Sequence, residues 1–356
     1  MTRKIYVVIA ARNEEKCIAD TLNSIHQQSY PVDKIFVIAN NCTDNTADVA
    51  AKNGATVLNM LNNQHMKAGA LNFALEKIIP DLQDTDCVLV MDADTKLSNN
   101  LVEECLKNFK KNPRAGAVGS IFIGRPTTTL LGQLQLMEFW RYRRQIHRNG
   151  DMAFVLSGTA SLFLVRTLKE VKNARNNGLL PLSKGSYYDV SSLTEDNEIT
   201  LSIKKLDFDC PVANVFSETD VMDEFKKLKN QRVRWYQGAL VNLKNFGTSL
   251  PWHMRWIYWK QQIGLLVSLI MFSLICLVLI MTQIFFGGII ITWIWLIPLV
   301  VLVLERTSTV WELGWKSRFI AITIIPEQIY SILLLLIYGI ALKNFLINKK
   351  GQWGNT

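Results

Sequence analysis

Between Gln261 and Leu304 the chain carries no Asp, Glu, Lys or Arg. An uncharged run of 44 residues has to leave water. A bilayer-spanning helix takes about 20 apolar residues, so the run predicts two spans joined by a tight turn near Gly287-Gly288. A pair of buried core helices is the alternative. Phe319 to Leu342 is a third candidate, interrupted by Pro326-Glu327. Glu327 at membrane depth would be expensive without a partner or a water-filled path. Residues 1–250, by contrast, read as an ordinary soluble domain.

Within that domain, short apolar runs alternate with helical spacing. Ile5–Ala10, Ile35–Ile38, Thr56–Leu58 and Val88–Met91 predict strands, with the β-branched apolar run of the first predicting a buried one. Between them, Glu14–Gln28, a segment opened by Thr43-Asp44, and a segment through Ala70, Phe73 and Ile78 predict helices. Alternating strands and helices imply a mostly parallel α/β sheet covered on both faces. Beyond it, Ser98–Lys111 and Leu130–His147 predict helices, and Ala117–Ile123 and Ser161–Val165 strands. The polar Asn173–Ser192 stretch predicts a loop.

Ligands of such sheets sit at the carboxyl ends of strands. Ala11-Arg12-Asn13, Asn40-Asn41 and Asp92-Ala93-Asp94 all fall there. A D-x-D closing a buried strand aims two oxygen ligands at one spot, which suits Mg2+ or Mn2+. Such an ion can hold a diphosphate, which points to a nucleotide-activated donor. A surface turn is the bland reading of the same three residues. Lys67 opens a helix beside a Gly-containing turn, where a phosphate would meet free backbone N–H groups and a cation together; a solvated helix-start Lys is the plain alternative.

The formal charge is +9. Many of the basic residues cluster where the chain approaches the apolar segments, among them Lys226, Lys227, Lys229, Arg232, Arg234 and Lys260. Basic, Trp-rich flanks suit anionic headgroups on the cytoplasmic side. The expected partner is therefore a lipid bilayer and not nucleic acid. Six scattered cysteines without C-x-x-C fit a reduced compartment. Four isolated histidines offer no metal spacing. Met1-Thr2-Arg3-Lys4 runs straight into the first strand and shows no signal-peptide pattern.

Five motifs occur in order: Asn13-Glu14-Glu15 with Thr43-Asp44, Lys67-Ala68-Gly69-Ala70-Leu71-Asn72, Asp92-Ala93-Asp94, Thr194-Glu195-Asp196, and Gln231-Arg232-Val233-Arg234-Trp235. Over roughly residues 1–260 this set resembles the membrane-bound family 2 glycosyltransferases, which include cellulose, chitin, hyaluronan and poly-N-acetylglucosamine synthases. The resemblance implies a GT-A domain and a UDP-sugar donor. Asp92 and Asp94 would hold Mg2+ or Mn2+. Ala11, Asn13, Glu14, Asn40, Lys67 and Asp92 would frame the nucleotide sugar. Asp196 would be the general base, removing the acceptor proton as the hydroxyl attacks. Glu195, Gln231, Arg234, Trp235, Ser157 and Gly158 would line the acceptor and diphosphate side.

Each of these motifs has a structural counterpart. Thr194-Glu195-Asp196 can be a carboxylate cluster capping a helix. Gln231–Trp235 can be an interfacial helix with snorkelling Arg and an anchoring Trp, a description that suits Arg232. Ser157-Gly158 can be an ordinary turn. One departure stands out: Ala39-Asn40-Asn41-Cys42 occupies the place where many relatives carry an Asp pair. One of those acids holds the uracil N–H, so Asn40 would have to offer its carbonyl oxygen instead.

The expected organisation is a cytosolic catalytic domain over 1–225, interfacial helices over 226–260, and about three membrane helices over 261–347. That places the chain in the plasma (inner) membrane as a multi-pass protein. Two products stay open: a growing β-linked polysaccharide, and a lipid acceptor receiving a single sugar. A homo-oligomer is one way for so few spans to serve a polymer.

Overall fold

The expected run of parallel strands is the centre of the N-terminal part of the chain. In a computed structural model, which describes residues 3–181, 183–288 and 296–349, β1 (Ile5–Ala11) pairs in parallel with β2 (Lys34–Asn40) and β4 (Cys87–Asp92). β2 pairs in parallel with β3 (Thr56–Met60). The sheet continues through β7 (Ala160–Leu164), β6 (Ala117–Gly124), β8 (Val212–Thr219) and β5 (Lys96–Leu97), in the order β3-β2-β1-β4-β7-β6-β8-β5. Of these, β7 is antiparallel to β4 and β6, and β5 is antiparallel to β8. The α/β architecture is the expected one.

Ile5, Val7, Val8 and Ile9 are fully buried, as strands covered on both faces must be. The helices α1 (Ile18–His26), α2 (Thr46–Lys52), α3 (Met66–Ile78) and α4 (Leu101–Lys111) follow the first strands. The apolar side chains of α1 and α4 join one core with the strands. Register aligns the strand ends: Ala10 lies opposite both Ile38 and Asp92, and Ala11 opposite Ala39. Loops leaving β1, β2 and β4 therefore open on one edge.

Three elements in this region go beyond the expected set. β5 has two residues and no readable pattern. β8 mixes apolar and polar positions because its outer residues are half-exposed. α6 (Val165–Asn176) carries its apolar residues three apart, at Val165, Leu168, Val171 and Ala174, all buried. It takes up the first part of the stretch expected to be a loop. The helix opened by Glu195 is α7 (Glu195–Lys205).

Contacts divide the chain into two units, Met1–Arg125 with Tyr142–Val221 and Pro126–Arg141 with Met222–Thr356. Most of α5 (Leu130–Arg148) thus groups with the C-terminal helices. Those are α8 (Phe225–Phe246), α9 (Trp252–Phe286), α10 (Leu296–Thr309), α11 (Trp315–Thr323) and α12 (Ile325–Leu346). Leu134, Leu228 and Tyr330 form one small core of this unit, and Met137, Val310 and Ala321 another.

Among the described residues, two helices are long and apolar enough to cross a membrane, Met254–Phe285 and Ile325–Leu346. α9 ends at Gly287 in the left-handed region, φ 69°, at the expected turn. The second expected span lies partly outside the described residues. The third is split at Ile324 (φ 60°), after which Pro326 starts α12, since a proline fits the first helical turn but not the interior. Glu327 has the partners its burial demands: Arg141 at 2.8 Å and Arg306 at 3.8 Å.

Candidate active site

Gly158 marks the centre of the site. It sits in the turn before β7, and a β carbon there would stand 2.9 Å from Lys67 Nζ, 3.4 Å from Asp92 Oδ2 and 3.8 Å from Asp196 Oδ2. Three motifs far apart in the chain thus meet at one point. Lys67, in the first turn of α3, pairs with Asp92 at 2.5 Å and with Glu195 at 3.0 Å. Ser157, Gly158, Tyr188, Glu195 and Asp196 line an open cleft around it, together with Leu71, Leu156, Phe163 and Ile199.

Each of these side chains is placed by a local device. The start of α3 is fixed by three asparagines. Asn63 donates to Asn40 Oδ1 (2.8 Å) and to Met66 O, Asn40 also donates to Met66 O, and Asn41 donates to Asn63 O. Gly69 lies under this loop: a β carbon would come within 2.5 Å of Asn63 Oδ1 and 2.7 Å of His65 Cβ, so only glycine fits. Asn72 accepts the N–H groups of Tyr187 and Tyr188 and donates to Tyr188 O, which brings that loop to the cleft. Below the Gly158 turn, the hydroxyls of Ser157, Thr159, Ser217 and Ser120 form a chain of hydrogen bonds. Such a fully satisfied buried network is rigid.

α7 is anchored by a buried ion pair. Arg175 Nη2 donates to both carboxylate oxygens of Glu198, at 2.8 and 2.7 Å, and the two residues are 1% and 2% exposed. Burial pushes the Glu198 carboxyl up, against the pull of Arg175. Glu198 therefore belongs to the scaffold, while Glu195 and Asp196, one turn earlier, face the cleft.

The strand-end carboxylates are under electrostatic stress. Burial, and then the neighbouring charges of Asp92, Glu14 and Asp220, push Asp94 up to about 7, opposed by Arg125. Glu14 is raised for the same reasons, burial first. Arg125 donates to Asp94 O at 2.7 Å and to Asp220 at 2.9 Å, a pairing that carried no sequence signal. For Lys67 burial opposes the charge, but Asp92 and Glu195 outweigh it and raise its pKa above the ordinary lysine value. A divalent cation fits this excess of negative charge. Among the described residues no group of three or more His, Cys, Asp or Glu side chains could hold a metal. Asp92 and Asp94 would supply two ligands and leave the rest to phosphate and water, as Mg2+ commonly requires.

Other expected residues are placed as follows. Ala11 is buried, its carbonyl accepting from Cys42 Sγ. Asn13 (φ 59°) accepts from Thr43 N, and Glu14 accepts from Cys17 Sγ at 3.0 Å. Asn40 departs from expectation: it is 5% exposed and its side-chain oxygen is engaged by Asn63, so its amide braces α3 and is not turned to a base. Gln231, Arg234 and Trp235 lie on α8, in the second unit. Arg232 does not snorkel. It is buried, bonds Glu138 at 2.9 Å, and its guanidinium lies 4.5 Å from the Trp235 ring centre.

Residues 6–172 match the family described as Glycosyl transferase family 2. Two curated relatives are named poly-beta-1,6-N-acetyl-D-glucosamine synthase. That of Staphylococcus epidermidis is 28% identical over 254 residues, covering 69% of this chain and 57% of the relative. That of Staphylococcus aureus is 26% identical over 257 residues, with the same coverage of 69% and 57%. The chain spans a little over half the length of these relatives. Among solved structures, a mannosyltransferase from Pyrobaculum calidifontis in complex with GDP-Man and Mn2+ superposes with a TM-score of 0.63 at 17% identity, over 98% of this chain and 89% of that one. At that identity the likeness speaks for the fold, which is the expected GT-A type. With the strand-end carboxylates, the Lys67 pairing and the ordered motifs in place, residues 6–172 are a glycosyl transferase family 2 domain, and the chain is similar to polysaccharide synthases that carry one.

Proposed function

We propose that this chain transfers a sugar from a UDP-sugar to the end of a growing β-linked polysaccharide at a membrane, with inversion at the anomeric carbon and with Mg2+ or Mn2+. The observation that carries this reading is the meeting at Gly158: cation, strand-end carboxylate and second carboxylate within 3.8 Å of one point. Asp196 removes the proton of the acceptor hydroxyl as that oxygen attacks the anomeric carbon and the bond to the diphosphate breaks. Lys67 neutralises the charge gathering on the diphosphate, in a cleft where apolar walls strengthen its field. A divalent ion on Asp92 and Asp94 would supply further neutralisation of the leaving group. Glu195 holds Lys67 in place.

The membrane reading rests on α9. Trp252, Trp256 and Trp259 are 73%, 56% and 43% exposed where it begins, next to Arg255 and Lys260. None of its most apolar 18 residues is buried. Aromatic and basic residues leading into an uncharged helix suit the interface and core of a bilayer. The catalytic unit then sits on the cytoplasmic side of the plasma membrane.

The test is a product assay on the purified full chain with radiolabelled UDP-sugars, beginning with UDP-GlcNAc because of the relatives' names. A high-mass ladder is expected, abolished by EDTA. A single lipid-migrating spot would instead establish one-step transfer to a lipid. Asp196→Asn should lower kcat by about 10²–10⁴-fold; unchanged turnover would remove Asp196 as the base.

A further inference from the structure

By composition α12 passes as a membrane span, yet its contacts describe a helix lying along a polar one. Tyr330 Oη donates at 2.6 Å to the Glu138 carboxylate that also receives Arg232 of α8. One helical stretch later, the Tyr338 ring stands edge-on to Tyr236 of α8, centroids 5.5 Å apart. Then Lys244 Nζ lies 5.7 Å from the centre of the Phe345 ring, and Gln237 donates to Lys349 O at 2.7 Å. α12 thus follows α8 over most of its length. α8 carries Gln231, Arg232, Arg234, Gln237, Asn242 and Lys244 along that course. Such a helix is too costly to stand across hydrocarbon, and a helix bound along its length shares its direction.

The faces of α12 agree. At about 100° per residue, Ile325, Ile329, Leu336 and Ile340, each 40–67% exposed, fall within an arc of about 60°. Exposed Lys343 lies on the same stripe, placed to snorkel to headgroups. Buried Tyr330, Ile337, Tyr338 and Ala341 occupy the opposite side, against protein. α9 has 35 residues, about 52 Å at 1.5 Å each, against about 30 Å of hydrocarbon. Its first third therefore has length to spare at the interface. That is where Tyr338 Oη meets Gln262 O, at 3.3 Å.

We propose that α12 lies in the plane of the membrane, with lipid on its Ile325–Ile340 stripe and α8 on its other face, and does not cross. This rests on the reading of α9 as a span. In that position α12 is a lipid-seated brace for the helix that carries Gln231, Arg234 and Trp235. Single cysteines introduced into a cysteine-free full chain test it, read with a membrane-impermeant maleimide in right-side-out and inverted vesicles. Lys316→Cys and Asn348→Cys flank α12, Gly288→Cys follows α9, and Asn149→Cys marks the catalytic unit. Positions 316 and 348 are expected to label from the same face as 149, and 288 from the other. Labelling of 316 and 348 from opposite faces would overturn the in-plane placement while leaving the α9 span intact. Labelling of 288 from the face of 149 would remove the α9 span and the proposal with it.

Discussion

The ammonium of Lys67 lies 3.0 Å from the carboxylate of Glu195, a residue only 5% exposed. The same ammonium reaches Asp92 on the other side. One buried cation therefore ties the strand that carries the D-x-D to the helix that carries the proposed base. Glu195→Gln keeps the shape of this link and removes half of its charge. The expected result is a fall in kcat/KM of about 10–100-fold, measured as UDP release. Lys67→Met should cost more, because it leaves two carboxylates facing each other without a cation. Equal, near-wild-type activity in both variants would show that the link does not matter to turnover.

Gly158→Ala separates activity from stability. The added β carbon would stand 2.9 Å from Lys67 Nζ, and that atom is the far end of a flexible side chain. The backbone can stay while the ammonium moves aside. The expected outcome is a Tm within a few degrees of the parent and a loss of at least about tenfold in kcat. A large fall in Tm would mean that the turn itself, and not the placement of Lys67, needs the glycine.

Much of this site was legible in the sequence for a physical reason. Strands buried on both faces must be continuous apolar runs, so β1, β2 and β4 and the carboxylates that end β4 could be read directly. The asparagine cluster could not. Asn40 looks the same in sequence whether its amide faces a ligand or, as here, Asn63 and Met66. Arg175 lies in a stretch expected to be a loop, and nothing in the sequence pairs it with Glu198 until α6 and α7 bring them together in the interior. Arg125 and Asp220 meet only through the pairing of β6 with β8. What escaped the sequence was long-range pairing of polar groups, which leaves no periodicity.

Asp94 gives a pH dependence with a definite sign. Its ordinary carboxyl value of 3.8 is raised to about 7, so the folded protein without metal binds a proton that the unfolded chain has already released. Stability from this group therefore declines as pH rises from about 4 to about 7. A metal ion needs the ionised carboxylate, so its affinity should fall about tenfold for each pH unit below 7. Titration with Mn2+ at pH 6, 7 and 8 should show binding weakest at pH 6, and the gain in Tm on adding Mn2+ should be largest at pH 8. Binding of equal strength across that range would mean that Asp94 is not a ligand.

The Arg175–Glu198 pair should matter to folding more than its position behind the site suggests. Arg175→Met leaves Glu198 buried with Ser202 still donating to it at 2.7 Å but with no cation. Removing one partner of a buried pair costs about 3–5 kcal/mol, enough to lower the midpoint of thermal or urea unfolding clearly. Replacing both, Arg175→Met with Glu198→Leu, removes the uncompensated charge. The double variant should therefore regain much of the stability lost in the single one. Because α7 also carries Glu195 and Asp196, the single variant should lose activity in step with its folded fraction, and the double variant should recover both. If the double variant were instead less stable than the single, the pair would be stabilising the fold beyond mutual charge compensation, through the shape of its hydrogen bonds to Ser202 and Pro181.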